Sequence, residues 1–234
     1  ATSAGETRFR KAHRLSADDV AALKQSGVTT VIAAVLDGDD LGENDAAARI
    51  GKALIANGVE VKPAATGRMN MHASAAGVFT VDKALIDAIN RIDQAITVAT
   101  VAAFAPVEAG QMVATVKIIP FAVKAVLVKR AEALAAGREA FAVKPFRPLK
   151  VGMIQTVLPG LKDSVLAKTV KVTEARLARS DSRITSERRT AHDEAEVAAA
   201  LKALAPDNDL VLMFGASAMA DPDDVIPAAI RIVG

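Results

Sequence analysis

The sequence predicts an α/β protein, with a C-terminal, doubly wound, mostly parallel sheet preceded by an N-terminal α+β domain. Three observations carry this expectation. From residue 149 onwards strand-like and helix-like runs alternate, the order that builds a parallel sheet with right-handed crossovers. The last apolar run, LVLMF at 210–214, is apolar on both faces, as a strand covered from both sides is. Between the two regions, FAVKPFRPLK carries Pro145 and Pro148 among charged residues and reads as a linker. The domains are therefore expected at 1–144 and 145–234.

Composition narrows the function classes. The chain has 234 residues, of which 51% are hydrophobic and 3% aromatic, so a sizeable small-residue core is expected rather than disorder. A net charge of only +2 gives no field that would recruit nucleic acid or a membrane surface, and neither is expected as a partner. With no cysteine there are no disulfides, thiolate metal sites or thiol catalysis. His13, His72 and His192 lack the spacing of a transition-metal site. The start, ATSAGETRFRKAHRL, has no apolar signal core and no run of about 18 apolar residues follows, so a cytoplasmic location is the expectation.

In chain order, Ser16 is a suitable N-cap, Val20 and Leu23 continue at helical spacing, Gly27 stops the helix, and 28–35 reads as a strand. The acidic stretch at Asp37, Asp39, Asp40 and Glu43 reads either as a cation loop or as a solvated, helix-capping one, and it lacks EF-hand spacing. A helix at 44–56 and a stop at Asn57 and Gly58 follow. Arg68, Asn70 and His72 read as contacts for an anionic ligand or as a polar loop beside Met69 and Met71 in the core. Leu85, Ile86, Ile89 and Ile92 form the apolar face of another helix. A β-rich stretch broken by Pro106, Gly110 and Pro120 leads to a helical segment at 123–136.

The C-terminal region reads as strand (LKVGMIQTV), loop (LPGLKDS), helix (VLAKTVKVTEARLARS), a short polar crossing, helix (HDEAEVAAALKAL), strand (DLVLMF), loop (GASAMADPDD) and a helix opening near Pro227, capped by Asp223 or Asp224. This unit is short for a doubly wound domain. The material that would complete its sheet is expected either to be missing from this sequence or to be supplied by a partner, and a homo-oligomer is the expectation. Open α/β sheets bind ligands outside the carboxyl ends of their strands. That places Thr156, Gly160, Lys162 and Ser164 of the first loop, the segment at His192 and Asp193, and Gly215 to Asp224 at one edge. Gly160, Lys162 and Ser164 at a helix start favour a phosphate, or form an ordinary N-cap loop; no Walker A pattern is present.

DLVLMFGASAMADPDDVIPAAI resembles the molybdopterin-binding signature of molybdenum-cofactor biosynthesis proteins: an apolar strand, a glycine turn, then an aspartate and a V-x-P-like helix start. HDEAEVAAALKAL is similar to the family's segment upstream of that strand, and FRKAHRLSADDVAALKQSGVTTVIAA looks like a passage ahead of the domain in molybdopterin molybdotransferases. The resemblance implies molybdopterin as substrate or ligand, with adenylyl transfer from ATP or molybdate insertion as the activity. It places Gly215, Ala216 and Ser217 in the turn facing the pterin or its phosphate, with Asp221 beside them. It gives Asp193 and Asp223 catalytic roles, and Asp223 and Asp224 the ligation of magnesium, a cation that prefers carboxylate and phosphate oxygens. The departures are Phe214 for a small or hydroxyl residue, Ala167-Lys168-Thr169 for Asp-[ST]-Asn, and Ala216 for the second glycine, where a methyl penalises positive φ. A non-catalytic pterin carrier or sensor, or an assembly module with a decayed site, is the alternative.

Overall fold

The computed structural model describes residues 2–4, 7–9 and 13–234 and shows a mixed α/β protein with several sheets. Its contacts divide it into two compact units that meet between Pro145 and Phe146. No helix among the described residues is long and apolar enough to cross a membrane.

The first unit opens with an antiparallel pair, β1 (Thr2–Ala4) and β2 (Thr7–Phe9), and helix α1 (Ala17–Gln25). Ser16 caps α1 reciprocally: its hydroxyl accepts the Asp19 N–H at 3.1 Å and the Asp19 carboxylate accepts the Ser16 N–H at 2.8 Å. The expected strand at 28–35 does not form. The stretch is β-branched but no strand among the described residues pairs with it, and Ile32 and Val35 are 96% and 93% exposed. Local propensity for strand needs a partner ladder to become a strand.

Next come β3 (Asp40–Gly42), α2 (Glu43–Ala53), β4 (Ile55–Asn57) and β5 (Val59–Val61). The helix expected over 44–56 thus ends at Ala53, and its last residues turn into an edge strand. After β6 (Arg68–Ala73), β7 (Gly77–Val81), α3 (Lys83–Asn90), β8 (Ile96–Thr100) and β9 (Pro106–Val107), the chain continues through β10 (Met112–Ile118), β11 (Ala122–Lys124), α4 (Ala125–Ala135) and β12 (Glu139–Pro145). One sheet has the order β5-β6-β10-β8 and another β4-β12-β7-β9, with β3 and β11 paired separately. Ala46, Ile50, Met71, Phe79, Ile89, Val116 and Phe141 are buried together in the core these elements share.

Two sequence expectations change here. The polar loop around residue 70 is strand β6, whose alternation puts Met69 and Met71 inside and Arg68, Asn70 and His72 on the other face. Asn70 accepts the Thr115 hydroxyl at 2.7 Å across the pair. The first half of the expected linker is strand β12, and Ala140 to Val143 are all buried. Prolines mark a boundary at the end of a strand as readily as within a loop, and Pro145 sits at the end of β12, in register with Gly77.

The second unit runs β13 (Lys150–Val157), α5 (Asp163–Leu177), β14 (Arg183–Ala191), α6 (Glu194–Leu204), β15 (Leu210–Phe214) and α7 (Val225–Val233). The order β14-β13-β15 is parallel throughout, with the first strand in the middle. The polar crossing expected between the first two helices is strand β14. Its charges hid a period of two: Ile184, Ser186 and Thr190 are half-buried while Arg183, Thr185, Glu187 and Arg189 face solvent. Central β13 is buried from Val151 to Thr156. Ile154 packs with Ala200, Leu201 and Leu204 of α6. Its neighbour Gln155 points to the other face and donates to the Leu166 carbonyl of α5 at 3.3 Å. Consecutive strand residues alternate between faces, so α5 and α6 cover opposite sides of the sheet.

Candidate functional site

Parallel strands end at the same edge, so the loops after β13, β14 and β15 share one end of the second unit. One buried hydroxyl joins them. Thr156, 1% exposed near the end of β13, accepts the backbone N–H of Ala216, after β15, at 2.7 Å. The same oxygen lies 2.9 Å from Nδ1 of His192, which directly follows β14. The His192 N–H in turn donates to the Val157 carbonyl at 3.2 Å. Thr190, in register with Thr156, has a buried hydroxyl with no partner among the described residues.

The turn after β15 is built tightly. A Cβ on Gly215 would lie 2.9 Å from the Ser217 carbonyl oxygen and 3.1 Å from Ile226 Cδ1, so the loop's own return path requires glycine there. Ala216 is not among the described residues with positive φ, so the strain expected from its methyl is absent. Ser217 is exposed. On the loop after β13, Gly160 has φ +88°, a left-handed turn that suits glycine, with open space where a Cβ would be. Lys162 is the N-cap of α5 and makes no side-chain capping bond, and Lys162 and Ser164 are both exposed.

The carboxylates have partners within the fold. Asp193 caps α6, accepting the Ala195 and Glu196 amides at 3.0 and 3.1 Å. Asp221 accepts the Asp223 N–H at 2.8 Å. Asp223 pairs with Arg231 at 3.0 Å and is 93% exposed, while Arg231 also donates to the Pro222 carbonyl. Asp224 accepts the amides of Ala220 and Asp221 and serves as the N-cap position of α7. Those amides hold its carboxyl below the usual carboxylate range, that of Asp221 contributing most, then Ala220, with a smaller contribution from the nearby His192. Asp221, Asp223 and Asp224 do not gather their oxygens into one three-ligand cluster, and Asp223 already has a cation in Arg231. The loop from Ala220 to Asp224 is thus closed by its own amides and by Arg231.

The cluster that does gather, among the described residues, is Asp37, Asp39 and Asp40 in the first unit. Lys124 Nζ sits among them at 2.8, 2.9 and 3.0 Å, so the cation of the acidic loop is a lysine. The three carboxylates push the Lys124 ammonium above its ordinary pKa, and the Asp37 amide, followed by Lys124, lowers that of Asp40.

Of the residues expected at the edge, Thr156 and Ala216 are joined by a direct bond, Asp193 is a helix cap, Asp221 and Asp224 accept amides of their own loop, and Asp223 forms a surface pair. The residue that sequence reading underused is His192. The sequence places it at this edge beside Asp193, but its bond to Thr156 follows only from the register of β13 and β14.

No protein-family model matches the chain, and no curated protein matches it. Among solved structures, the crystal structure of molybdopterin biosynthesis moea protein from Pyrococcus horikosii is similar over 83% of this chain and 67% of that one, at 12% identity and a TM-score of 0.28. A likeness at that level carries no argument, and the mixed α/β architecture rests on the strands and helices themselves.

Proposed function

We propose that the second unit, as a small doubly wound sheet, binds a pterin of the molybdopterin type in molybdenum-cofactor biosynthesis. The observation that carries this reading is the Thr156 hydroxyl, which ties the loops after β13, β14 and β15 into one edge. With β13 central, the chain leaves it toward β14 on one side and returns to β15 on the other, the arrangement at which open parallel sheets hold ligands. The resemblance of the loop from Gly215 to Asp224 to a pterin-binding turn supplies the ligand class.

A carrier is favoured over an adenylyltransferase or molybdotransferase by one feature. The carboxylates that catalysis or a metal would recruit already have partners: Asp193 as a cap, Asp224 on the Ala220 and Asp221 amides of its own loop, Asp221 within its turn, and Asp223 on Arg231. Titration calorimetry with molybdopterin tests the binding. Turnover with ATP or with molybdate, with and without added magnesium, separates an enzyme from a carrier. Tight binding without turnover is the expected result, and turnover in either assay overturns the carrier reading.

A further inference from the structure

For a neutral imidazole, the proton of the Thr156 hydroxyl decides the tautomer of His192. Thr156 Oγ1 is buried and uses a lone pair to accept the Ala216 amide. Its single proton needs an acceptor, and the ring nitrogen 2.9 Å away is the one the described residues provide. Thr156 therefore donates to Nδ1, and the neutral imidazole carries its proton on Nε2. The reverse assignment, Nδ1–H donating to Thr156, would leave a buried hydroxyl proton unpaired. Nε2 has no hydrogen-bond partner among the described residues, and the ring is half-buried.

The surrounding charge selects what that donor meets. Asp193, Asp221, Asp223 and Asp224 belong to the same loops, against Lys162 on the facing loop and Arg231, which Asp223 occupies. A bare phosphate is disfavoured beside so many carboxylates. A neutral ring edge rich in N–H donors, with one carbonyl acceptor next to them, is complementary: the carboxylate lone pairs that the loop amides and Arg231 leave over take the donors and a neutral N–H takes the carbonyl.

Resting on the pterin reading above, we infer that His192 is a specificity-determining residue which donates its Nε2–H to the 4-oxo group of a 2-amino-4-oxopyrimidine ring. Thr156 is the positioning residue that fixes its tautomer.

The test uses the full chain labelled with 15N and the simple probe 2-amino-4-oxopteridine. Long-range 1H–15N spectra at neutral pH are expected to show His192 protonated on Nε2 and bare on Nδ1, with the Nε2 signal moving on addition of the probe. Calorimetry on His192→Ala is expected to show affinity lower by about tenfold, the weight of one hydrogen bond. His192→Gln, which keeps an amide donor near the Nε2 position, is expected to recover most of it. A 2,4-dioxopteridine, lacking the amino donor, is expected to bind more weakly than the probe. Proton on Nδ1, or probe binding that leaves the His192 signals and the His192→Ala affinity unchanged, overturns the role of His192 while the pterin reading stands. No heat and no shift with the wild-type chain overturns the pterin reading and this inference with it.

Discussion

Replacing Thr156 by valine keeps the shape of the side chain and removes its oxygen. The Ala216 N–H then loses its acceptor and His192 Nδ1 loses its donor, in a position that is 1% exposed in the parent. An amide or ring nitrogen left unpaired in the interior costs roughly 1–3 kcal/mol. Ala216 and His192 are half-buried, so water recovers part of this and the net loss is about 1–2 kcal/mol. At roughly 4–8 °C per kcal/mol for a domain of 60–100 residues, the melting temperature of the second unit falls by about 5–15 °C. The chain has no Trp or Tyr, so far-UV circular dichroism with urea denaturation is the suitable assay, with amide exchange at Ala216 as the local readout. Thr156→Ser, which restores the hydroxyl, separates the lost bonds from the lost methyl. If Thr156→Val were as stable as wild type and its Ala216 amide equally protected, the hydroxyl would not join the loops, and the reasoning would fail.

Three further outcomes are expected. Asp224→Asn removes a carboxylate whose pKa is depressed in the folded state. Its stabilising contribution is present above the unfolded carboxylate pKa of about 3.9 and disappears as pH falls through the lower folded value, so denaturation curves should show the variant weaker at neutral pH and converging with wild type in acid. Ala216→Gly should leave pterin affinity unimproved, because Ala216 has no positive φ to relieve, and should cost up to about 1 kcal/mol of stability through a wider unfolded ensemble; calorimetry and urea titration check the two parts. Limited chymotryptic digestion should cut after Phe146, within the short stretch at 146–149, and leave 139–145 intact because β12 is paired on both sides; early cleavage inside β12 would contradict the strand.

What the sequence made legible was local. The Ser16 cap, the helices of the second unit and the strand at 210–214 follow from capping chemistry and apolar period, and the structure forms each of them, but β15 is an edge strand with Leu210 exposed and the rest only half-buried, not the strand covered from both sides that its apolar run suggested. The failures share a different cause. Residues 28–35 have strand propensity, but pairing is decided elsewhere in the chain. Strand β14 was hidden because an edge strand carries Arg183, Glu187, Arg188 and Arg189 to keep its free side soluble, and so reads as a crossing. At the candidate site the aspartates were visible as residues and invisible as partners. Asp224 turns inward to loop amides, while its neighbour Asp223 reaches Arg231. His192 acquires its role only when β13 and β14 lie side by side, which no spacing in the sequence announces.

The central claim is that the loops at the carboxyl edge of the second unit hold a pterin. Its most direct test is fluorescence of oxidised pterin released from the full chain after purification from cells that make molybdenum cofactor, compared with Thr156→Val prepared in parallel. Fluorescence from the wild-type protein, reduced in the variant in step with its loosened loop, is the predicted result. Wild-type protein free of pterin that also gives no calorimetric heat with added molybdopterin would contradict the account.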